Sequence, residues 1–248
     1  MYQNVLVISD NLEMARFFKD LVDLNKDYAG FKFTLSISPN SNKSKFVEAL
    51  KSKVFVYNLR DKSDIETIIS RYDLVLSIHC KQLFPEKMVN SVKCINVHPG
   101  YNPINRGWYP QVFAIMNDLP IGATIHEIDD ELDHGLIIAR EFVTNEITDT
   151  SLSLYNKILE KEKKLIKDNL LNILNNSYST ITPENDGHIY LKKDFNELCK
   201  IDLNEEGTFK LFYDKLRALT HGDYKNAFFI NERSGKKVFI SINIHEES

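Results

Sequence analysis

The order of its short apolar runs is what most constrains this chain. Val5 to Ile8, Phe31 to Ile37, Val54 to Tyr57, Leu74 to Ile78 and Cys94 to Val97 are brief and rich in branched or aromatic residues, the composition of strands. Helical patterns lie between several of them. The best opens at Asp10, where Asp10-Asn11-Leu12-Glu13 reads as a capping box leading into Ala15, Phe18, Leu21 and Val22 at helical spacing. Strands alternating with helices predict an α/β fold, a mostly parallel sheet with helices on both faces. Such sheets bind ligands at the carboxyl ends of their strands.

Two further strands are predicted at Ala123 to Ile128 and Leu136 to Val143, ahead of the longest helical pattern, Ser151 to Leu174. That helix carries Tyr155, Ile158, Leu159, Leu165, Ile166 and Ile173 on one face. Asn175 to Gly187 then has the composition of a loop. The expected organisation is a first domain over residues 1–180 and a small α+β unit over 181–248. In the second unit a helix around Thr208 to Leu219 precedes Ala227 to Ile230 and Val238 to Ile244, which flank Ser234-Gly235 as the arms of a β-hairpin. The alternation of Val238, Ile240, Ile242 and Ile244 predicts one buried face and, with it, a homodimer formed through this unit.

Composition narrows the function. The chain has 35 acidic against 31 basic side chains, a net charge of -4, which disfavours nucleic acid as a partner. No apolar run approaches the ~20 residues needed to cross a bilayer, and the opening segment lacks the basic flank and length of a secretory signal. A soluble, cytoplasmic protein without a membrane partner is expected. Cys80, Cys94 and Cys199 are widely spaced, so neither disulfides nor a structural metal are predicted.

The chemically informative stretch is Ile95-Asn96-Val97-His98-Pro99-Gly100. On a strand, Asn96 and His98 project to the same side, and Pro99-Gly100 stops the strand at its carboxyl end. Further on, Leu132-Asp133-His134-Gly135 places a carboxylate in a turn between two predicted strands. An amide donor, an imidazole and a carboxylate suit acyl transfer to an amine. Donors stabilise the oxygen as negative charge grows on it, the imidazole moves the proton, and the carboxylate favours and orients the imidazolium. Taken alone, Asn-x-His also occurs in turns and in satisfied cores, and Asp133 could be a turn residue bonding its own backbone.

Segment Ser77 to Ala139 resembles the N10-formyltetrahydrofolate-dependent formyltransferases. The matching text is Ile95-Asn96-Val97-His98-Pro99-Gly100, Asn105-Arg106-Gly107, Gly122-Ala123-Thr124-Ile125-His126 and Leu132-Asp133-His134-Gly135-Leu136-Ile137-Ile138. The family's N-x-H and D-x-G elements fall on Asn96, His98 and Asp133, which the resemblance implies are catalytic. It also implies that N10-formyltetrahydrofolate is the cosubstrate, with the pterin beside Ile125, Glu127, Ile128 and Asp129 and held partly by main-chain groups.

Asn102-Pro103-Ile104-Asn105-Arg106-Gly107-Trp108-Tyr109-Pro110-Gln111 and Ser77-Ile78-His79-Cys80-Lys81-Gln82 are similar to the branch acting on nucleotide-linked amino deoxysugars. Leu216 to Phe229, with Tyr224, is similar to the element that helps hold the nucleotide. The resemblance implies Lys81, Asn102, Arg106, Trp108, Tyr109 and Tyr224 as substrate-binding residues, Lys81 or Arg106 meeting the pyrophosphate. A dTDP-4-amino-4,6-dideoxyglucose is the leading substrate and the 3-amino isomer the next, in O-antigen or lipopolysaccharide sugar biosynthesis. As residues alone, Lys81 could be a solvated charge, Trp108 and Tyr109 core aromatics, and Tyr224 a hairpin-core tyrosine. A formyltetrahydrofolate hydrolase and a non-catalytic nucleotide-sugar subunit are the alternatives. The glycine-free Ile8-Ser9-Asp10-Asn11-Leu12 argues against a phosphate cradle after the first strand.

Overall fold

The computed structural model describes residues 1–247. Its elements run β1 (Asn4–Ile8), α1 (Leu12–Leu24), β2 (Lys32–Ile37), α2 (Lys43–Leu50), β3 (Phe55–Val56), α3 (Lys62–Arg71), β4 (Leu74–Ile78), α4 (Glu86–Val89) and β5 (Lys93–His98). There follow β6 (Arg106–Gly107), α5 (Pro110–Asn117), β7 (Ile121–Glu127), β8 (Ile137–Val143), α6 (Ser151–Leu174), β9 (Ile189–Tyr190), α7 (Lys192–Leu198), α8 (Phe209–Leu219), β10 (Phe228–Ile230) and β11 (Lys237–Phe239).

Seven strands form one sheet in the order β3-β2-β1-β4-β5-β7-β8. The first five are parallel, and β7 and β8 add on antiparallel beyond β5. Strand β1 shows why its sequence is apolar without a break: Val5 and Val7 face one core and Leu6 and Ile8 another. On the first side Met14 and Phe18 of α1, Val112 to Ile115 of α5 and the stripe from Leu154 to Leu174 of α6 pack against β4, β5 and β7. On the other, Ile65 and Ile68 of α3 and Met88 of α4 cover Leu6, Ile8, Val75 and Cys94. A parallel sheet covered on both faces has no polar face to show. Helix α6 starts at a capping box in which the Thr150 and Ser153 side chains each accept from the other's backbone N–H.

The cap of α1 differs from expectation. Asn11, not Asp10, is the N-cap, its side chain accepting from Met14 N. The Asp10 carboxylate instead accepts from Ser38 N, Ser38 Oγ, Ser41 Oγ and Lys81 N, tying the loops after β1, β2 and β4 together. Among the described residues the hairpin is also shorter than predicted, its second arm β11 ending at Phe239. Residues 240–244 keep their alternating burial without a strand partner, with Ile240 N donating to Ala227 O and Ile242 N to Thr220 Oγ1. Ser248, the last residue of the expected C-terminal unit, lies outside the described residues.

The segment after α6 returns to the first sheet's helices. Strand β9 pairs with β6, Tyr190 stacks on Phe113 at 4.0 Å, and Phe195 of α7 stacks on Tyr109 at 3.9 Å. Helix α8 packs on α5 and α6, which brings the loop before β10 toward the carboxyl ends of the parallel strands.

Candidate active site

Strand β5 lies between β4 and β7, with Asn96 opposite His126 and His98 opposite Thr124. Val97 points into the core while Asn96 and His98 share the other face. Beyond His98 the chain turns at Gly100, where a Cβ would come within 2.4 Å of His98 Nε2 and 2.6 Å of Asn105 O. Glycine there lets the Asn105 carbonyl approach His98, whose Nε2–H donates to it at 2.8 Å. That bond fixes the tautomer and leaves Nδ1 as the basic nitrogen.

Asp133 sits in the loop between β7 and β8 at φ +49°, a left-handed conformation that Asp tolerates better than most residues. Two residues on, a Cβ at Gly135 would fall 2.0 Å from Glu127 O, so the loop can close on β7 only with glycine there. The Asp133 carboxylate accepts from Asn96 Nδ2 at 3.1 Å and from Gly107 N at 3.0 Å. It lies 3.6 Å from His98 Nδ1 and 3.5 Å from His126 Nε2. Burial opposes its ionisation, yet the charge of His98, the hydrogen bond and charge of His126 and the Gly107 N–H outweigh that and hold the carboxyl well below its usual range. The structure thus brings Asn96, His98 and Asp133 together around one carboxylate.

His126 is the member that sequence reasoning leaves without a role. Its Nδ1–H donates to Glu127 O at 2.7 Å, which turns Nε2 toward Asn96 Nδ2 at 3.2 Å. A register shift between Ile125 and His126 re-aims this part of β7 beside the site. Its signal was the alternation Thr124, His126 on the strand facing Asn96 and His98.

Two residues expected to bind substrate turn inward instead. Arg106 is 2% exposed, and its guanidinium donates to Leu132 O at 2.8 Å, to Asp186 O, and to Glu131 Oε2 at 3.2 Å. With its donors spent on the loop that bears Asp133 and on Asp186 in the segment after α6, it is not placed to meet a pyrophosphate. Asn102 is buried too, donating from Nδ2 to Asp133 O at 2.9 Å and from its backbone N to Thr124 Oγ1 at 3.0 Å.

The other expected residues are accessible. Lys81 is exposed on the loop after β4. Trp108 is partly exposed with Lys192 Nζ 5.6 Å from its ring, and Tyr109 is half-buried against Phe195. Tyr224 is 72% exposed on the loop between α8 and β10, which rules out a hairpin-core position. Of the four residues expected at the folate, Ile128 and Asp129 line a cavity of about 340 Å³ with Glu86, Val89, Asn90 and Asp130. Ile125 packs its side chain in the core, and Glu127 accepts from Lys93 Nζ and the Tyr178 hydroxyl. The cavity's carboxylates, Asn90 amide and apolar Ile128 and Val89 fit a flat, polar-edged heterocycle such as a pterin. Among the described residues no three His, Cys, Asp or Glu side chains group as a metal site requires.

Comparison with known proteins identifies the family. A family model described as formyl transferase matches residues 41–170, and one described as the N-formyltransferase dimerization C-terminal domain matches residues 194–246. A dTDP-4-amino-4,6-dideoxyglucose formyltransferase from Mycobacterium tuberculosis is 49% identical over 183 residues, 74% of this chain and 78% of that protein. The crystal structure of a 4-N formyltransferase from Francisella tularensis superposes with a TM-score of 0.92 at 39% identity, covering 99% of both chains. A sugar N-formyltransferase from a Shewanella species does so with a TM-score of 0.95 at 36% identity, again over 99% of both. The chain belongs to the formyl transferase family.

Proposed function

We propose that this formyltransferase moves a formyl group from N10-formyltetrahydrofolate to the amine of a dTDP-linked amino-dideoxysugar in the cytoplasm. dTDP-4-amino-4,6-dideoxyglucose is the leading acceptor, the 3-amino isomer the next, and O-antigen or lipopolysaccharide sugar biosynthesis the setting. The observation that carries the chemistry is the convergence of Asn96 and His98 on the ionised Asp133. The acceptor class rests on the 49% identity to a dTDP-4-amino-4,6-dideoxyglucose formyltransferase and on Tyr224, an exposed aromatic suited to a nucleobase. The match to a dimerization domain over 194–246 supports a homodimer.

The folate supplies an activated formyl carbon. His98 Nδ1 takes the proton that the amine sheds on attack, and the imidazolium so formed lies beside the Asp133 carboxylate, 3.6 Å away. The same proton then goes to the departing nitrogen. Asn96 directs its two amide hydrogens at Asp133 and His126. Turning the one on His126 to the formyl oxygen keeps the charge-assisted bond to Asp133 and gains a donor where negative charge develops.

The test is to incubate the protein with N10-formyltetrahydrofolate and a panel of dTDP- and UDP-linked amino sugars, and to weigh the products by mass spectrometry. One formyl group added to a dTDP-4-amino sugar is expected. Release of formate with every amino sugar unchanged would overturn the reading in favour of a hydrolase.

A further inference from the structure

A row of rings runs from the surface of the C-terminal unit to a carboxylate buried in α6. Ring centroids are 5.7 Å apart for Tyr224 and His221, 5.6 Å for His221 and Tyr155, and 6.1 Å for Tyr155 and His79. His79 Nε2 then lies 2.7 Å from Glu162 Oε2. The formyl-transfer chemistry above uses none of His221, Tyr155, His79 or Glu162. His79 follows β4, and Tyr155 bonds Asn11, which follows β1, so the two stand at the carboxyl ends of these strands, where the strand order reverses direction and open α/β sheets bind their ligands. Because Ile78 pairs with Val97, His79 and His98 follow at the same level on adjacent strands.

The hydrogen bonds fix what Tyr155 can do. Glu162 is 0% exposed, and its Oε1 has no hydrogen-bond partner among the described residues. A carboxylate so placed is costly unless its charge is matched, and His79 is its one hydrogen-bonding neighbour among the described residues. Nε2–H of His79 donates to Glu162, and where Nδ1 also carries a hydrogen it donates to the Tyr155 oxygen, 3.1 Å away. Asn11 Nδ2, which can only donate, reaches the same oxygen at 3.1 Å. Both lone pairs of the phenol are then occupied, so its own hydrogen must leave in a third direction. Burial first, and the Glu162 charge next, push the Tyr155 phenol above its ordinary range, so it stays a donor. His79 holds its end of the row at φ +60°, a left-handed backbone that marks a constrained position in a non-glycine residue.

We infer that Tyr155 is a substrate-binding residue whose O–H donates to an anionic oxygen of the nucleotide-linked acceptor, and that His79 and Glu162 are positioning residues that act through it. This rests on the acceptor class proposed above. Lys81, exposed on the same loop as His79, is tied by its backbone N–H to Asp10 after β1.

The probe is dTDP, titrated calorimetrically against the full chain and against Tyr155→Phe and Glu162→Gln. Tyr155→Phe keeps the ring contacts with His221 and His79 and removes one hydroxyl. Its Kd for dTDP is expected to rise roughly tenfold, the scale of one charge-assisted hydrogen bond, with the Kd for 5-formyltetrahydrofolate unchanged. Glu162→Gln should move the dTDP affinity in the same direction. A purely structural role would lower Tm in both variants and leave the Kd of the folded proteins as it was. Nitrogen NMR of His79 in the dTDP complex gives an answer that needs no variant: both ring nitrogens should carry protons, and a bare Nδ1 overturns the inference. If the wild-type protein binds dTDP and Tyr155→Phe binds it within twofold, this inference falls and the acceptor class stands. If the wild-type protein binds no dTDP, both fall.

Discussion

Asparagine at position 133 would remove one charge while keeping the size of the side chain. In the wild-type site the carboxylate stands 3.6 Å from His98 Nδ1, the nitrogen assigned to carry the proton in the transition state. Two unit charges at that separation interact by about 4–5 kcal/mol at an effective dielectric constant near 20. At about 1.4 kcal/mol per tenfold in rate, the ceiling on the loss is about a thousandfold, and a partly transferred proton brings it to roughly 10²–10³. Asp133→Asn should therefore lower kcat by that factor. KM for the sugar nucleotide should change little, since the charge acts mainly after binding. The assay is steady-state formylation with both substrates varied, on protein whose fold has been checked by circular dichroism. Folded Asp133→Asn with kcat within tenfold of wild type would refute the role given to this carboxylate.

The same substitution tests the ionisation of Asp133 independently of turnover. Its oxygens accept from Asn96 Nδ2 and Gly107 N, and an asparagine has only one acceptor oxygen, so its amide group must face a donor at a cost of about 1–3 kcal/mol. The folded carboxyl is held below its ordinary range. Its contribution to stability is therefore complete above the unfolded value of about 3.9 and is lost as pH falls below that toward the depressed folded value. The stability gap between wild type and Asp133→Asn should be full at pH 7 and narrow below about pH 4. A gap that stays constant on acidification would mean that Asp133 is not held ionised.

Four further outcomes are expected. His98→Asn should abolish most turnover and leave sugar-nucleotide affinity nearly unchanged in a binding assay; kcat within tenfold of wild type would remove His98 from the proton transfer. Tyr224→Ala should weaken dTDP-sugar binding roughly ten- to a hundredfold with Tm almost unmoved, because the ring is 72% exposed; an unchanged Kd would take Tyr224 out of the nucleotide site. Arg106→Ala should destabilise the fold by about 3–5 kcal/mol in denaturant titration, since it strips a buried cation from the loop acceptors around it; a loss of affinity at full stability would return Arg106 to substrate binding. Saturating 5-formyltetrahydrofolate should raise Tm, about 2.7 kcal/mol of added stability at a hundredfold excess over Kd, and no shift with or without dTDP would argue against a folate site.

Which parts were legible in the sequence follows from how each residue is used. The parallel strands announce themselves because both faces are covered, so Val5 to Ile8 and Leu74 to Ile78 are apolar without interruption. Asn96 and His98 were legible because two-residue periodicity survives folding unchanged. Helix α5 was not, because Pro110 to Ile115 are all buried and leave no polar stripe to set a period of 3.6. Helix α2 fails for the opposite reason, burying only Phe46 and Leu50. Strands β6 and β9 are two residues each and exist through a pairing between distant segments, for which no local pattern exists. At Asp10 the capping-box spacing was present but the neighbouring Asn11 took the cap, freeing the carboxylate for two other loops that only the fold brings near.

Arg106 and Asn102 show why motif residues around a site need not touch the substrate. The turn holding Asp133 is left-handed at its central residue and carries a carboxylate that must stay ionised while largely enclosed. Each of those conditions is unfavourable alone, so the loop has to be held from outside. Arg106 takes the carbonyl of Leu132, Asn102 takes the carbonyl of Asp133 itself, and Gly107 donates its N–H to the carboxylate. The stretch Asn102 to Gly107 is therefore a bracket for Asp133, and its residue types answer to the geometry of formyl transfer whatever the acceptor. Under the proposed function, recognition of the acceptor is left to the exposed Lys81, Trp108 and Tyr224 and to the Tyr155 hydroxyl. A change of acceptor within this fold should then be achieved by substitution at those exposed positions, and substitution within the bracket should cost activity toward every acceptor alike.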